Sequence, residues 1–145
     1  MIMVVVAVHT LSTLMMAGVI WFVQLVHYPL FVHVGEQKFG RFEKEHVRRT
    51  TWIVAPLMTA EAATAIGLVL FSWDSRHRGL TLLGLLLLVV IWASTAFLQV
   101  PCHKRLAEGF DLRAACRLVG TNWIRTAAWT ARALLAILIA RAIRP

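Results

Sequence analysis

The sequence is poor in acidic groups, cysteine, proline and tyrosine. Its 145 residues hold 7 Asp and Glu against 15 Lys and Arg, for a formal net charge of +8. The two cysteines, Cys102 and Cys116, share one connecting segment and form no C-x-x-C pair, which excludes a zinc ribbon or a thioredoxin-like motif. They read as two free, small apolar residues, with a disulfide between them as the alternative. With 4 prolines and 8 glycines, no linker, repeat or low-complexity tract divides the chain, and its length allows one domain over residues 1–145. There is no P-loop, no Gly-rich dinucleotide fingerprint, no G-x-S-x-G elbow and no H-E-x-x-H, so the sequence signatures of those chemistries are missing. The first residues carry no basic n-region and no A-x-A site, and are read as a retained helix, not a signal peptide.

What the chain has in quantity is apolar sequence. Hydrophobic residues make up 59%, against roughly 45–50% in soluble domains, and the mean hydropathy is +0.73. The excess lies in four blocks, residues 3–26, 51–72, 80–100 and 119–143. Each is close to the ~20 residues that span a bilayer's hydrocarbon core. Backbone groups cannot stay unpaired in lipid, so these blocks should be helices. No run of ten-residue alternating segments suggests a barrel. Residues 33–50 and 102–118 carry apolar residues at helical spacing with charges between, which predicts a short interfacial helix in each. The expected fold is therefore all-α, an integral membrane four-helix bundle with short interfacial helices in its two long loops. Pro29 and Pro101 are expected to break the chain after the first and third spans, and Pro56 to kink the second.

Four spans put both termini on one face and both long loops on the other. The long-loop face holds Lys38, Arg41, Lys44, Arg48, Arg49, Lys104, Arg105, Arg113 and Arg117; the terminal face holds Arg76, Arg78, Arg141 and Arg144. The positive-inside rule then places the long loops in the cytoplasm and the termini outside, in a cell membrane read as a bacterial inner membrane. The basic loops suit an anionic lipid surface, and no nucleic-acid partner is expected. Trp21, Trp52, Trp73 and Trp123 fall near span ends, as in an aromatic belt. Trp92 and Trp129 lie deeper, where core packing competes with a role lining the pocket of a planar ligand.

Ionisable groups at membrane depth cost ~3 kcal/mol or more when unpaired. Glu61 and Arg132 sit at matching depths in the second and fourth spans and are expected to pair, with a proton-transfer role for Glu61 as the alternative. Small residues around Glu61, namely Ala60, Ala62, Ala63, Ala65 and Gly67, allow close helix approach and make the second span central. Polar residues also gather toward the long-loop face: Gln24 and His27, Gln99 and His103, Glu43 and His46. Asn122, Arg125, Trp129 and Arg132 form one stripe at helical spacing. His27, Glu43, His46 and His103 would suit iron, copper or zinc, and Glu-x-x-His is the spacing of carboxylate-bridged metal bundles. Each histidine alone is more often an interfacial or hydrogen-bonding residue. The expected chemistry uses His27 and His103 as ligands or proton shuttles, Glu61 as a base and Arg125 as an anion or carbonyl anchor. His9, Gln24, Asn122 and Arg132 are the expected cofactor-binding residues. His33 and His77 receive no role.

Val100-Pro101 and Leu106-Ala107 after the third span, with Asn122 to Arg125 at the start of the fourth, resemble the anthrone-oxygenase-like family of small four-helix bacterial membrane proteins. That resemblance implies oxygen-dependent oxidation of an aromatic polyketide. A second set, His9, Ala17-Gly18, Pro29 to His33 and Pro56 with Met58, is similar to the HemJ-type protoporphyrinogen oxidases and the copper-resistance D family. That similarity implies haem or porphyrin, with His9 as a ligand.

Three readings of function stay open. One is a membrane oxidoreductase or oxygenase acting on a hydrophobic aromatic or quinone-like substrate at a polar pocket on the long-loop face. Another is a haem- or metal-binding module without chemistry of its own. The third is an accessory subunit of a larger membrane complex. The expected partners are the bilayer, a hydrophobic small molecule, and further copies of the chain or other subunits.

Overall fold

A computed structural model describes residues 1–71 and 77–142. Five α-helices follow in order: α1 Ile2–Phe22, α2 Glu36–Phe71, α3 Arg78–Ser94, α4 Val100–Leu106 and α5 Leu112–Ala142. They build four helices long and apolar enough to cross a membrane, Ile2–His33, Glu36–Phe71, Arg78–Leu106 and Leu112–Ala142. The chain is an all-α, multi-pass integral membrane protein. α1 packs on α2 and α5, and α3 packs on the same two helices, which closes a four-membered bundle around one axis. Its outer surface is apolar, with Leu11, Phe22, Ile66, Leu86 and Leu134 among many exposed large side chains. Such a surface is stable in lipid and not in water. Trp73, Arg76 and Arg144, placed in the sequence among the belt and the terminal charges, lie outside the described residues.

The two prolines expected as breakers do not end their spans. Each is preceded by a widened π-helical turn, Val23–His27 before Pro29 and Thr95–Gln99 before Pro101. A proline ring clashes with the carbonyl four residues back. Here those carbonyls belong to Leu25 and Phe97, the central residues of the two π turns. The clash is absorbed by one wide turn; the Tyr28 N–H, for example, reaches back to the Val23 carbonyl at 3.0 Å. The chain then continues as a 3-10 segment, Pro29–His33, and as α4.

The helices expected at the interface are present but joined to their spans. Residues 36–50 are the first turns of α2, which runs unbroken for 36 residues, or about 54 Å at ~1.5 Å per residue. The hydrocarbon core takes only ~30 Å of this, so the helix stands well out on the long-loop face. The reason lies in its inward stripe: Phe39, Glu43, Met58, Glu61, Ala65 and Leu68 are buried along one face, so one helical periodicity runs through the loop and the span alike. α5 begins at Leu112 for the same reason, with Ala115 and Leu118 buried ahead of the membrane-depth residues. Asp111 starts it by accepting the Ala114 N–H at 3.0 Å in the position of an N-cap. Gly40 permits the closest contact on this face, since a Cβ there would stand 3.0 Å from the Ala107 carbonyl oxygen.

The core is layered along the axis. Val6, Leu68 and Ile139 fill the terminal end; Met16, Ile20, Met58, Ile91 and Trp129 fill the middle; Tyr28, Phe31, Phe39, Cys102, Leu106 and Leu118 fill the long-loop end. Polar layers separate these apolar ones. Cys102 and Cys116 are both free thiols. Trp129 is fully buried, but Trp92 is 47% exposed. Trp92 therefore faces the lipid side, and the expectation that it packs in the core is corrected.

Candidate functional site

The polar residues fall into two groups at different depths. The deeper group surrounds Glu61. Its Oε1 accepts from Arg132 Nε at 2.9 Å and from the Thr13 hydroxyl at 2.9 Å, and its Oε2 accepts from the Trp129 indole at 3.1 Å. Arg132 also donates to the Gly84 carbonyl of α3. His9 Nδ1 meets the Thr64 hydroxyl at 3.0 Å, one turn along from Glu61. All four spans thus contribute to one buried knot. Its carboxylate is committed to three donors, and neither Glu61 nor Arg132 lines the large cavities described below.

The second group lies on the long-loop side of the middle apolar layer. Gln24 and Asn122 bond side chain to side chain at 2.8 Å, and Arg125 donates to Asn122 at 3.2 Å. Gln99 accepts from Ser94 at 3.0 Å and donates to Thr121 at 3.1 Å. Beyond them lies the histidine cluster. His27 Nε2 and His46 Nδ1 approach to 2.8 Å. His103 Nδ1 meets the fully buried Glu43 carboxylate at 2.5 Å, and His103 Nε2 meets the Tyr28 hydroxyl at 3.1 Å. The His46 and His103 rings are 5.6 Å apart, centre to centre. Phe31 packs edge-on against both His27 and His46, and Phe39 and Phe42 pack behind it. Glu43 and Tyr28 are buried and the three histidines half-buried, so the polar contacts to Glu43 and Tyr28 are strengthened by their low-dielectric surroundings.

Two cavities flank His46. The inner one, about 150 Å³, lies between the four spans and is lined by Met16, Ile20, Tyr28, His46, Gln99, His103 and Arg125, with other mostly aliphatic residues. The outer one, about 390 Å³, lies between α1 and α2 over Gly18 and Phe22, and also touches His27 and Arg49. Both share Val19, Val23, His46, Thr50 and Val54. Arg125 stacks over Trp129 with its guanidinium carbon 5.2 Å from the ring centre. Its Nε is buried without a hydrogen-bond partner, as is Glu43 Oε2.

The sequence-predicted site divides accordingly. His27, Glu43, His46 and His103 do meet, with Arg125, Gln24 and Asn122 nearby. They pair off, His27 with His46 and His103 with Glu43, and do not converge on one point. Among the described residues no group of three or more His, Cys, Asp or Glu side chains is arranged to hold a metal ion; the residues expected to suit a metal form a hydrogen-bonded cluster. Glu61 does not join it: 18 residues of α2 separate Glu61 from Glu43, ~27 Å along a helix. His9 and Arg132 belong with Glu61. His33 is exposed. Sequence reasoning missed Tyr28. Its signal was available, since it is the single tyrosine of a chain with 7 phenylalanines and stands directly before Pro29.

Comparison with protein-family models, with characterised proteins and with solved structures gives no match.

Proposed function

We propose that this protein is a membrane-embedded oxidoreductase for a flat, apolar, oxygen-bearing ring compound, which reaches the histidine cluster from the lipid. The observation that carries this reading is the placement of His46, His103, Tyr28 and Arg125 on the wall of a cavity otherwise lined by aliphatic residues, threonines and Gln99, with a larger cavity beside it that shares His46. A pocket that is mostly apolar with a few convergent polar groups is the usual form of a small-molecule site. The inner volume suits one or two fused rings, and the outer cavity suits the remainder of a lipid-soluble molecule. Arg125 offers a cation to a ring oxygen, and the histidines move protons. Electrons pass from the substrate to dioxygen or to a quinone dissolved in the membrane. The resemblance to the anthrone-oxygenase-like family points the same way.

The test uses purified protein in detergent micelles with anthrone, whose oxidation by one dioxygen yields anthraquinone and one water. Oxygen uptake and quinone absorbance should rise above the protein-free autoxidation rate, and His103→Ala and Arg125→Ala should abolish the increment. Rates equal to protein-free micelles for anthrone and for a naphthohydroquinone would sink the proposal.

A further inference from the structure

Glu43, His103 and Tyr28 stand in a row, and the row ends at the inner cavity. The Glu43 carboxylate is fully buried and accepts the His103 Nδ1–H at 2.5 Å. That contact fixes the tautomer: with the proton on Nδ1, Nε2 is the acceptor, and it takes the Tyr28 O–H at 3.1 Å. A carboxylate behind an imidazole both orients it and stabilises the imidazolium that forms when it takes up a proton. The Tyr28 oxygen keeps a lone pair for another donor. Tyr28 is 4% exposed and is among the residues that line the cavity, with His103. Arg125 lines the same cavity. The charged and titratable groups around the pair are His27 from the first span, Glu43 and His46 from α2, Cys102 from α4 and Arg125 from α5.

Building on the oxidoreductase reading, we propose that this row is a general-base relay for a substrate carrying an ionisable ring hydroxyl, with Tyr28 as the catalytic residue. The substrate O–H breaks and its proton passes to the Tyr28 oxygen. The phenolic proton of Tyr28 passes to His103 Nε2. The products are a ring oxyanion beside the Arg125 guanidinium and a His103 imidazolium beside the Glu43 carboxylate. One proton has moved, and the charges created lie next to opposite charges already in place. The anion is richer in electrons than its parent hydroxyl and gives them up more readily to an oxidant. His103, with 17% of its side chain exposed, then releases the proton toward the long-loop face. Glu43 acts through His103 and is a positioning residue. This assignment names the substrate class that the oxidoreductase reading left open.

The probe is 4-nitrophenol, whose phenolate is yellow, added to the full chain in micelles. Binding is followed by tryptophan quenching and ionisation by absorbance. With the wild-type protein, bound probe should hold about tenfold more phenolate than probe in empty micelles at the same pH, as a neighbouring cation and base require. Tyr28→Phe should bind the probe with similar affinity yet hold clearly less phenolate than the wild type, keeping only the share that Arg125 supplies. Glu43→Gln, which keeps the shape but cannot hold an imidazolium, should do the same and serves if Tyr28→Phe does not fold. Probe that binds but stays neutral in the wild type, or ionises equally in the folded variants, overturns the relay and leaves the pocket standing. Probe that does not bind at all overturns both the relay and the oxidoreductase reading.

Discussion

Arg132 meets Glu61 at 2.9 Å between α5 and α2, with the two side chains 1% and 0% exposed. The pair sits where neither water nor salt can screen it. Removing one partner leaves a charge stranded at membrane depth, a loss of ~3–5 kcal/mol for a broken buried pair. Glu61→Ala and Arg132→Leu should therefore each lower thermal stability strongly in micelles. The double change Glu61→Ala with Arg132→Leu should be less damaging than the sum of the singles, because no unpaired charge remains. Additive losses in a double-mutant cycle would show that the contact is not energetically coupled.

Gly40 is the residue that lets α2 come against the end of α4. Its absent Cβ would be 3.0 Å from a backbone oxygen, that of Ala107, and a backbone atom cannot swing aside as a side chain can. Glu43 and His103 lie one turn further along the same two helices, so the spacing at Gly40 governs theirs. Gly40→Val should cost about 1–3 kcal/mol, the range for overpacking, and should lower turnover in the anthrone assay. Gly35→Ala, where a Cβ meets open space, is the control and should change neither.

Cys116 is exposed on the long-loop side and Cys102 is buried. With the basic loops in the cytoplasm, a membrane-impermeant maleimide should label inverted vesicles and spare right-side-out ones, and Cys116→Ser should abolish the labelling. Labelling in right-side-out vesicles would place the long loops outside.

Asp111 caps α5. The Ala114 N–H and the Arg105 guanidinium hold its carboxyl below the ordinary carboxylate range. The sign follows from that depression: the capping contribution is complete above the unfolded carboxylate value and is lost as pH falls through the lower folded one. Thermal unfolding at neutral pH should show a small drop in midpoint for Asp111→Ala and less for Asp111→Asn, which can still accept the Ala114 N–H. At acid pH the wild type and Asp111→Ala should converge. A gap that persists undiminished at low pH would remove the carboxylate from the explanation.

Much of the architecture was legible in the residues themselves. Four apolar blocks of bilayer length leave a chain few options, because hydrocarbon offers the backbone no partner but itself. The matching depths of Glu61 and Arg132 likewise follow from counting residues along two helices. Where the sequence reading went astray, a local rule met a neighbour it did not include. Proline read as a breaker, but at positions 29 and 101 a π turn absorbs the ring and the helix goes on. The helix expected within residues 33–50 is there, but as the first turns of α2, because its inward stripe runs on into the span.

The amino-acid sequence by itself determined that the chain lives in lipid, crosses it four times and turns its membrane-depth charges inward, since transfer free energy and helical periodicity act residue by residue. Only the tertiary structure decided which of those groups touch. It put Glu61 in a packing knot, set His27 on His46 and Glu43 on His103, and drew Tyr28 into the row. Hydrogen bonds between helices depend on rotation and offset to a fraction of an ångström, and those are set by packing of the whole bundle and not by any one segment of it.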